Sequence, residues 1–202
     1  DQNSVGVFHE SGLYANPTGT SLIWCGWVQT NEIEDSENVT PIRYAGNASR
    51  NLGTFYRGAL DYEGTMTFHP HDFRMVKFAL GSCQDTGSPS PYQHIISETN
   101  STVGNPFTSG TLNPFVSFTV EDAQVFATGS NFIREARGCV IDELTLTSTQ
   151  GEPLTIELTY KPQEVIFKSG AATALGVPST TPGSRAFMWS DCRVHIPSGT
   201  TF

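Results

Sequence analysis

Residues 139–147 read CVIDELTLT, residues 154–160 read LTIELTY, and the STQGEP between them at 148–153 holds the Gly and Pro of a chain reversal. Apolar and polar side chains alternate on both sides of that reversal, which is the period of a strand with one buried face. The stretch therefore predicts an antiparallel hairpin. Upstream, LDYEGTMTFH at 60–69 puts Tyr62, Met66 and Phe68 on one face and Asp61, Glu63, Thr65 and Thr67 on the other. FVSFTVE at 115–121 alternates in the same way, and SLIWCGWVQT at 21–30 has the aromatic and β-branched content of a strand. A short strand is expected near His94 to Glu98, and edge strands at 164–168 and 185–196. One helix is expected. Pro70 opens PHDFRMVKFALGS, in which Phe73, Val76, Lys77 and Leu80 recur at helical spacing and Gly81 stands where a C-terminal stop falls.

These elements occupy the middle of the chain. Residues 1–20 are turn-rich and read as an N-terminal arm, 21–168 as the β domain, and 169–202 as a linker (SGAATALGVPSTTPGS at 169–184) followed by a C-terminal arm or edge strand. Residues 31–59 read as a functional loop or an extended hairpin, and 84–114 as a decorated loop. A length of 202 residues suits one domain with long arms. With 19 Gly, 12 Pro and only 15% charged residues, the composition is that of many short strands joined by turns.

A net charge of -9 and a sequence pI near 4.9 leave no basic face to neutralise a run of phosphates. Such a charge serves solubility, and it also suits a surface past which nucleic acid slides without sticking. No stretch approaches the roughly 18 apolar residues of a membrane-spanning helix, so no membrane association is expected. Cys25, Cys83, Cys139 and Cys192 contain no C-x-x-C pair, which excludes zinc-ribbon and thioredoxin-type sites, while their even number permits two disulfides. Sequons at Asn38, Asn47 and Asn100 would fit an exported, glycosylated protein or a chance yield of an Asn-, Ser- and Thr-rich chain.

No nucleophile elbow, phosphate loop, H-E-x-x-H or dinucleotide fingerprint occurs, so no catalytic residue and no cofactor is expected. His69, His71 and Asp72 form the nearest approach to a metal cluster, but Pro70 switches strand to helix between the two histidines, and Asp72 fits a helix start better. Asp142 and Glu143 fall on opposite faces of one strand and cannot share a substrate. Of Trp24 and Trp27, one is expected in the core and the other at an intersubunit contact or a sugar platform. What the strands share is a polar face of Thr, Ser and acidic residues. Asp61, Glu63, Thr65 and Thr67, then Ser117, Thr119 and Glu121, then Glu143, Thr145 and Thr147, then Thr155, Glu157 and Thr159 are expected to point away from the core. An ordinary solvated sheet face would look the same.

The order of segments resembles the tail tube proteins of tailed phages and archaeal viruses. The resemblance is carried by Glu10 to Tyr14 with Gly19 and Thr20, the strand 21–30, and a loop with Arg43, Asn51, Leu52 and Gly53. It continues through Glu63 to Met66, the helix closing on Ala79 to Ser82, Gly138 to Leu146, and Gln150 to Thr155. It implies a mainly β fold of two packed antiparallel sheets, a sandwich or partial barrel, with one flanking helix. It further implies hexameric rings stacked into a tube for genome passage, located in the virion tail and assembled in the host cytoplasm. Double-stranded DNA would pass without specific binding, and sheath, terminator and baseplate proteins would be partners. Asp61, Glu63, Thr65, Thr67, Glu121, Glu143, Thr145 and Glu157 would line the lumen, and Trp27, Arg43, Tyr56, Arg57 and Trp189 would make intersubunit contacts. Another reading from the sequence is a secreted β-sandwich binding carbohydrate or a cell surface, or an extracellular filament.

Overall fold

In the computed structural model, which describes residues 2–10, 22–42, 54–86, 93–98, 117–126, 131–170 and 185–192, the chain is mostly strand. The first four strands are β1 (Gln2–His9), β2 (Leu22–Ile23), β3 (Gly26–Ile42) and β4 (Thr54–Pro70). After helix α1 (Arg74–Leu80) come β5 (Gly81–Thr86), β6 (Gln93–Glu98), β7 (Phe118–Val125), β8 (Asn131–Thr147), β9 (Thr155–Lys161) and β10 (Glu164–Gly170). Every pairing is antiparallel. The order β2-β1-β7-β8-β9-β4-β3, with β10 also on β8, makes one continuous sheet, and β5 and β6 form a separate ribbon.

The two packed sheets expected from the sequence are two leaves of that one sheet. β8 is long enough to serve both: residues 131–139 pair with β7 and β10, and residues 140–147 pair with β9. The change of partner falls at Gly138, whose N–H is held by the buried Glu10 carboxylate at 2.9 Å. The first leaf is β2-β1-β7-β8-β10 and the second is β8-β9-β4-β3. Between them Val7, Phe118, Val120, Ala136, Cys139 and Val165 meet Met66, Phe68, Ile156, Leu158 and Tyr160, all buried. Phe118 lies 5.9 Å from Tyr160 across the leaves and 5.1 Å from Phe78 of the helix. Each such side chain contributes about 1.5–3 kcal/mol of transfer free energy, so the core between the leaves is what holds the bend.

Several expectations are corrected. Residues 2–9 are no arm: β1 pairs with β7 along its whole length and sends Val7 and Phe8 into the interior. The expected strand 21–30 is interrupted at Trp24–Cys25, where the chain crosses from the first leaf to the second. Of the two alternatives for 31–59, the extended hairpin is found, with its tip at 43–53 outside the described residues. α1 buries Met75 and Phe78, whereas Phe73 and Leu80 are exposed, so the apolar face is turned from the one the spacing suggested. Gly81 does end the helix, at φ 95°, a left-handed conformation that glycine adopts without cost. Residues 185–192 form a strap in place of an edge strand. The Leu154 N–H donates to the Phe187 carbonyl at 2.7 Å, Pro153 bridges Met188, and a single 3-10 turn follows at Trp189–Asp191. Cys25, Cys139 and Cys192 are all unpaired, so the two disulfides an even count permits are not made. Asn47 and Asn100 lie outside the described residues.

Candidate functional site

The second leaf carries the polar face. Its register sets Glu143 of β8 beside Thr159 of β9, Thr159 beside Thr65 of β4, and Thr65 beside Glu32 of β3. The next row is Thr145, Glu157, Thr67 and Thr30. Of these eight side chains only Thr67 and Thr159 are half-buried; the others are exposed. Farther along, Glu34 faces Glu63, and Glu63 accepts a hydrogen bond from the Lys161 ammonium, so one base relieves a pair of like charges directly opposite each other. Asp61 faces Ser36, both exposed. Three of the four polar faces read from the sequence thus join into one hydroxyl-and-carboxylate surface. β3 supplies its fourth strand, which the sequence left as a choice between loop and hairpin.

The expected contribution of β7 is not there. Ser117, Thr119 and Glu121 are buried, on the face of β7 opposite Phe118 and Val120 of the inter-leaf core. The first two are spent on Glu10: its carboxylate accepts from the Thr119 hydroxyl at 2.7 Å and from the Ser117 hydroxyl. Glu121 faces Glu135 across the β7–β8 ladder, and Glu135 is held by Arg137 at 2.6 Å and Lys168 at 2.9 Å. A buried carboxylate needs such partners. Strand alternation alone could not show that both faces of 117–121 are covered.

The intersubunit candidates are dispersed. Trp27 stands 49% exposed at the start of β3, beside Trp24 at 5.8 Å. Tyr56 is 57% exposed near the far end of β4, and Arg57 pairs with Glu37 at 3.0 Å. There β3 and β4 run on as a two-stranded arm exposed on both faces, with Val39 and Leu60 uncovered. Trp189 is exposed on the strap at the opposite end of the second leaf, near the stacked Phe73 and Phe187 rings, 5.2 Å apart. Arg43 lies outside the described residues.

The histidine cluster is used locally. His69 Nδ1–H donates to the Leu154 carbonyl at 3.0 Å and Nε2 accepts from the Gln29 amide at 2.9 Å. Asp72, one residue ahead of the Phe73 N-cap of α1, accepts from the Arg74 N–H at 3.0 Å and from its guanidinium at 2.6 Å, and the helix has no side-chain cap at Phe73. His71 stacks on Trp24 at 4.6 Å. Among the described residues no His, Cys, Asp and Glu side chains converge as a metal-ligand set, and no helix is long and apolar enough to cross a membrane.

Among the described residues both lateral edges of the second leaf are open. Among the described residues β3 pairs with β4 alone, and the side of β8 that β7 occupies is vacant beyond Cys139. Because the four strands alternate in direction, the β3 edge and the β8 edge run antiparallel to each other. Solved structures similar to this chain include tubes. The SPP1 tail tube covers 84% of this chain and 78% of its own at 10% identity, with a TM-score of 0.47. The sheath-tube complex of the extracellular contractile injection system PVC covers 82% and 88% at 11% identity, with a TM-score of 0.46, and an Hcp protein 86% and 96% at 12%, with a TM-score of 0.34. At these identities and scores the likeness is one of layout alone. No protein-family model and no curated protein matches the chain.

Proposed function

We propose that the protein is a non-enzymatic tube subunit, in which copies join edge to edge through the second leaf and enclose a bore lined by its carboxylate and hydroxyl face. The observation that carries this reading is the pair of open, oppositely placed and directionally matched edges on the leaf that bears the polar rows. An open edge is an aggregation hazard unless it is paired, and a closed ring of copies pairs every one. Asp61, Glu63, Thr65, Thr67, Glu143, Thr145 and Glu157 then face the lumen, joined by Glu32 and Glu34, while the buried Glu121 does not. An acidic wall repels duplex DNA and lets it pass without adsorbing.

The projecting β3–β4 arm and the aromatic end near Trp189 lie at opposite ends of the leaf, which suits head-to-tail stacking of hexameric rings with the arm of one ring on the next. Sheath, terminator and baseplate proteins would be the outer and terminal partners. The particle is then a virion tail or tail-like tube, assembled in the host cytoplasm. Concentrated purified protein imaged in negative stain tests this: rings or tubes with a central hole are expected, and monomers alone would count against it.

A further inference from the structure

At the corner where β1 and β7 of the first leaf stand apart from β3 of the second, a cleft of about 450 Å³ opens to solvent. Trp24, Trp27, Gln29, Asn31, Asp122 and Gln124 line it. The size falls among small-molecule sites, and a few convergent polar groups beside aromatic walls is the usual make-up of one. Asn31 is fixed from below, its Oδ1 accepting from the buried Tyr160 hydroxyl at 3.0 Å. Asp122 is half-buried and stands opposite Arg134 in the ladder, with burial as the main influence raising its pKa and with Arg134 and then Asn31 opposing that rise. A desolvated carboxylate in a cleft is a marker of binding sites when the geometry agrees.

We propose that this cleft binds a neutral saccharide, with the half-exposed Trp27 indole as the stacking platform and Asp122 and Gln124 as partners of its hydroxyls. The lining decides the class. Among the described residues no Lys, Arg or His lines the cleft, so the one charge a phosphate or carboxylate ligand would meet is that of Asp122, which repels it. A cationic ligand is disfavoured because Arg134 already answers that charge. What is offered is an indole surface, amide groups that both donate and accept, and one acceptor carboxylate. A sugar presents the complement: an apolar C–H face and hydroxyls that donate and accept on its rim. The proposal concerns the single copy and does not rest on the tube reading.

The test is a titration of the full chain with free glucose, galactose, mannose, N-acetylglucosamine and their neutral disaccharides, followed by the Trp27 indole N–H resonance. Saturable shifts with a dissociation constant of roughly 1 mM are expected for at least one sugar. Trp27→Ala should abolish binding, read in that variant from the indole N–H of Trp24, which lines the same cleft, and Gln124→Ala, an exposed and structurally mild change, should weaken binding several-fold. Trp189→Ala should leave binding unaltered. Absence of a saturable shift for every sugar at roughly tenfold that concentration overturns the proposal, as does loss of binding in Trp189→Ala. If the Trp27 resonance moves only with protein concentration, the cleft is a contact between copies and the proposal again fails.

Discussion

A methyl group on Gly64 would stand 2.1 Å from the Tyr160 ring, so the absence of a side chain at that one position lets the largest core residue lie flat across β4. Gly64→Ala is therefore expected to destabilise the fold by about 1–3 kcal/mol in denaturant unfolding, the cost of overpacking. Asp122 gives a pH signature. Its folded pKa is raised by burial, so between the ordinary carboxylate value and the folded one the native state holds the proton more tightly. Stability from this group is greatest at low pH and falls as pH rises through that window. Unfolding measured from pH 4 to 7 should show the slope in the wild type and lose that component in Asp122→Asn. The thiols separate cleanly as well: burial pushes Cys25 up to about 12 and Cys139 well above its ordinary value, while Cys192 is exposed. Alkylation of the native protein should label Cys192 and spare the other two until it unfolds. None of these environments is written in the sequence, because burial and opposite neighbours are properties of the ladder. Glu121 shows the same limit: in FVSFTVE its alternation reads as a solvated face, and only the covering of that face in the folded molecule makes it interior.

Among elements, those with one wet face were legible and those with two alike were not. β9 and the body of β4 alternate cleanly and were found close to their true bounds. The outer half of β3 is exposed on both faces, so its polar run carries no period-two signal, and loop and arm cannot be told apart by pattern. β1 is not legible in the sequence because its neighbours along the chain are turn-rich and its sheet partner, β7, lies more than a hundred residues away. The spacing places the helix but not its phase: Met75 and Phe78, three apart, face the core, whereas Phe73 and Leu80 are exposed. Phe78→Ala should cost about 3–5 kcal/mol. Leu80→Ala should stay near 0.5 kcal/mol, as surface changes do. Equal losses in thermal or denaturant unfolding would contradict that packing.

At the scale of the molecule, one bent sheet leaves its second leaf with a polar surface on one side, the core on the other, and two edges that no described strand pairs. The idea of a shared polar surface was readable from the Thr and acidic positions of β4, β8 and β9. The edges that could close it into a wall were not, since they depend on β8 serving both leaves. Reversing charge in Glu143→Lys with Glu157→Lys should leave folding stability within about 0.5 kcal/mol, yet produce an assembly that retains duplex DNA in a salt-dependent manner. The most direct test of the account is a cryo-EM map of the assembled particle that resolves side chains. The account predicts β3 of one copy paired antiparallel with β8 of its neighbour and a bore lined by Glu63, Thr65, Glu143, Thr145 and Glu157. A bore lined by Lys and Arg, or that face turned to the outside, would contradict it.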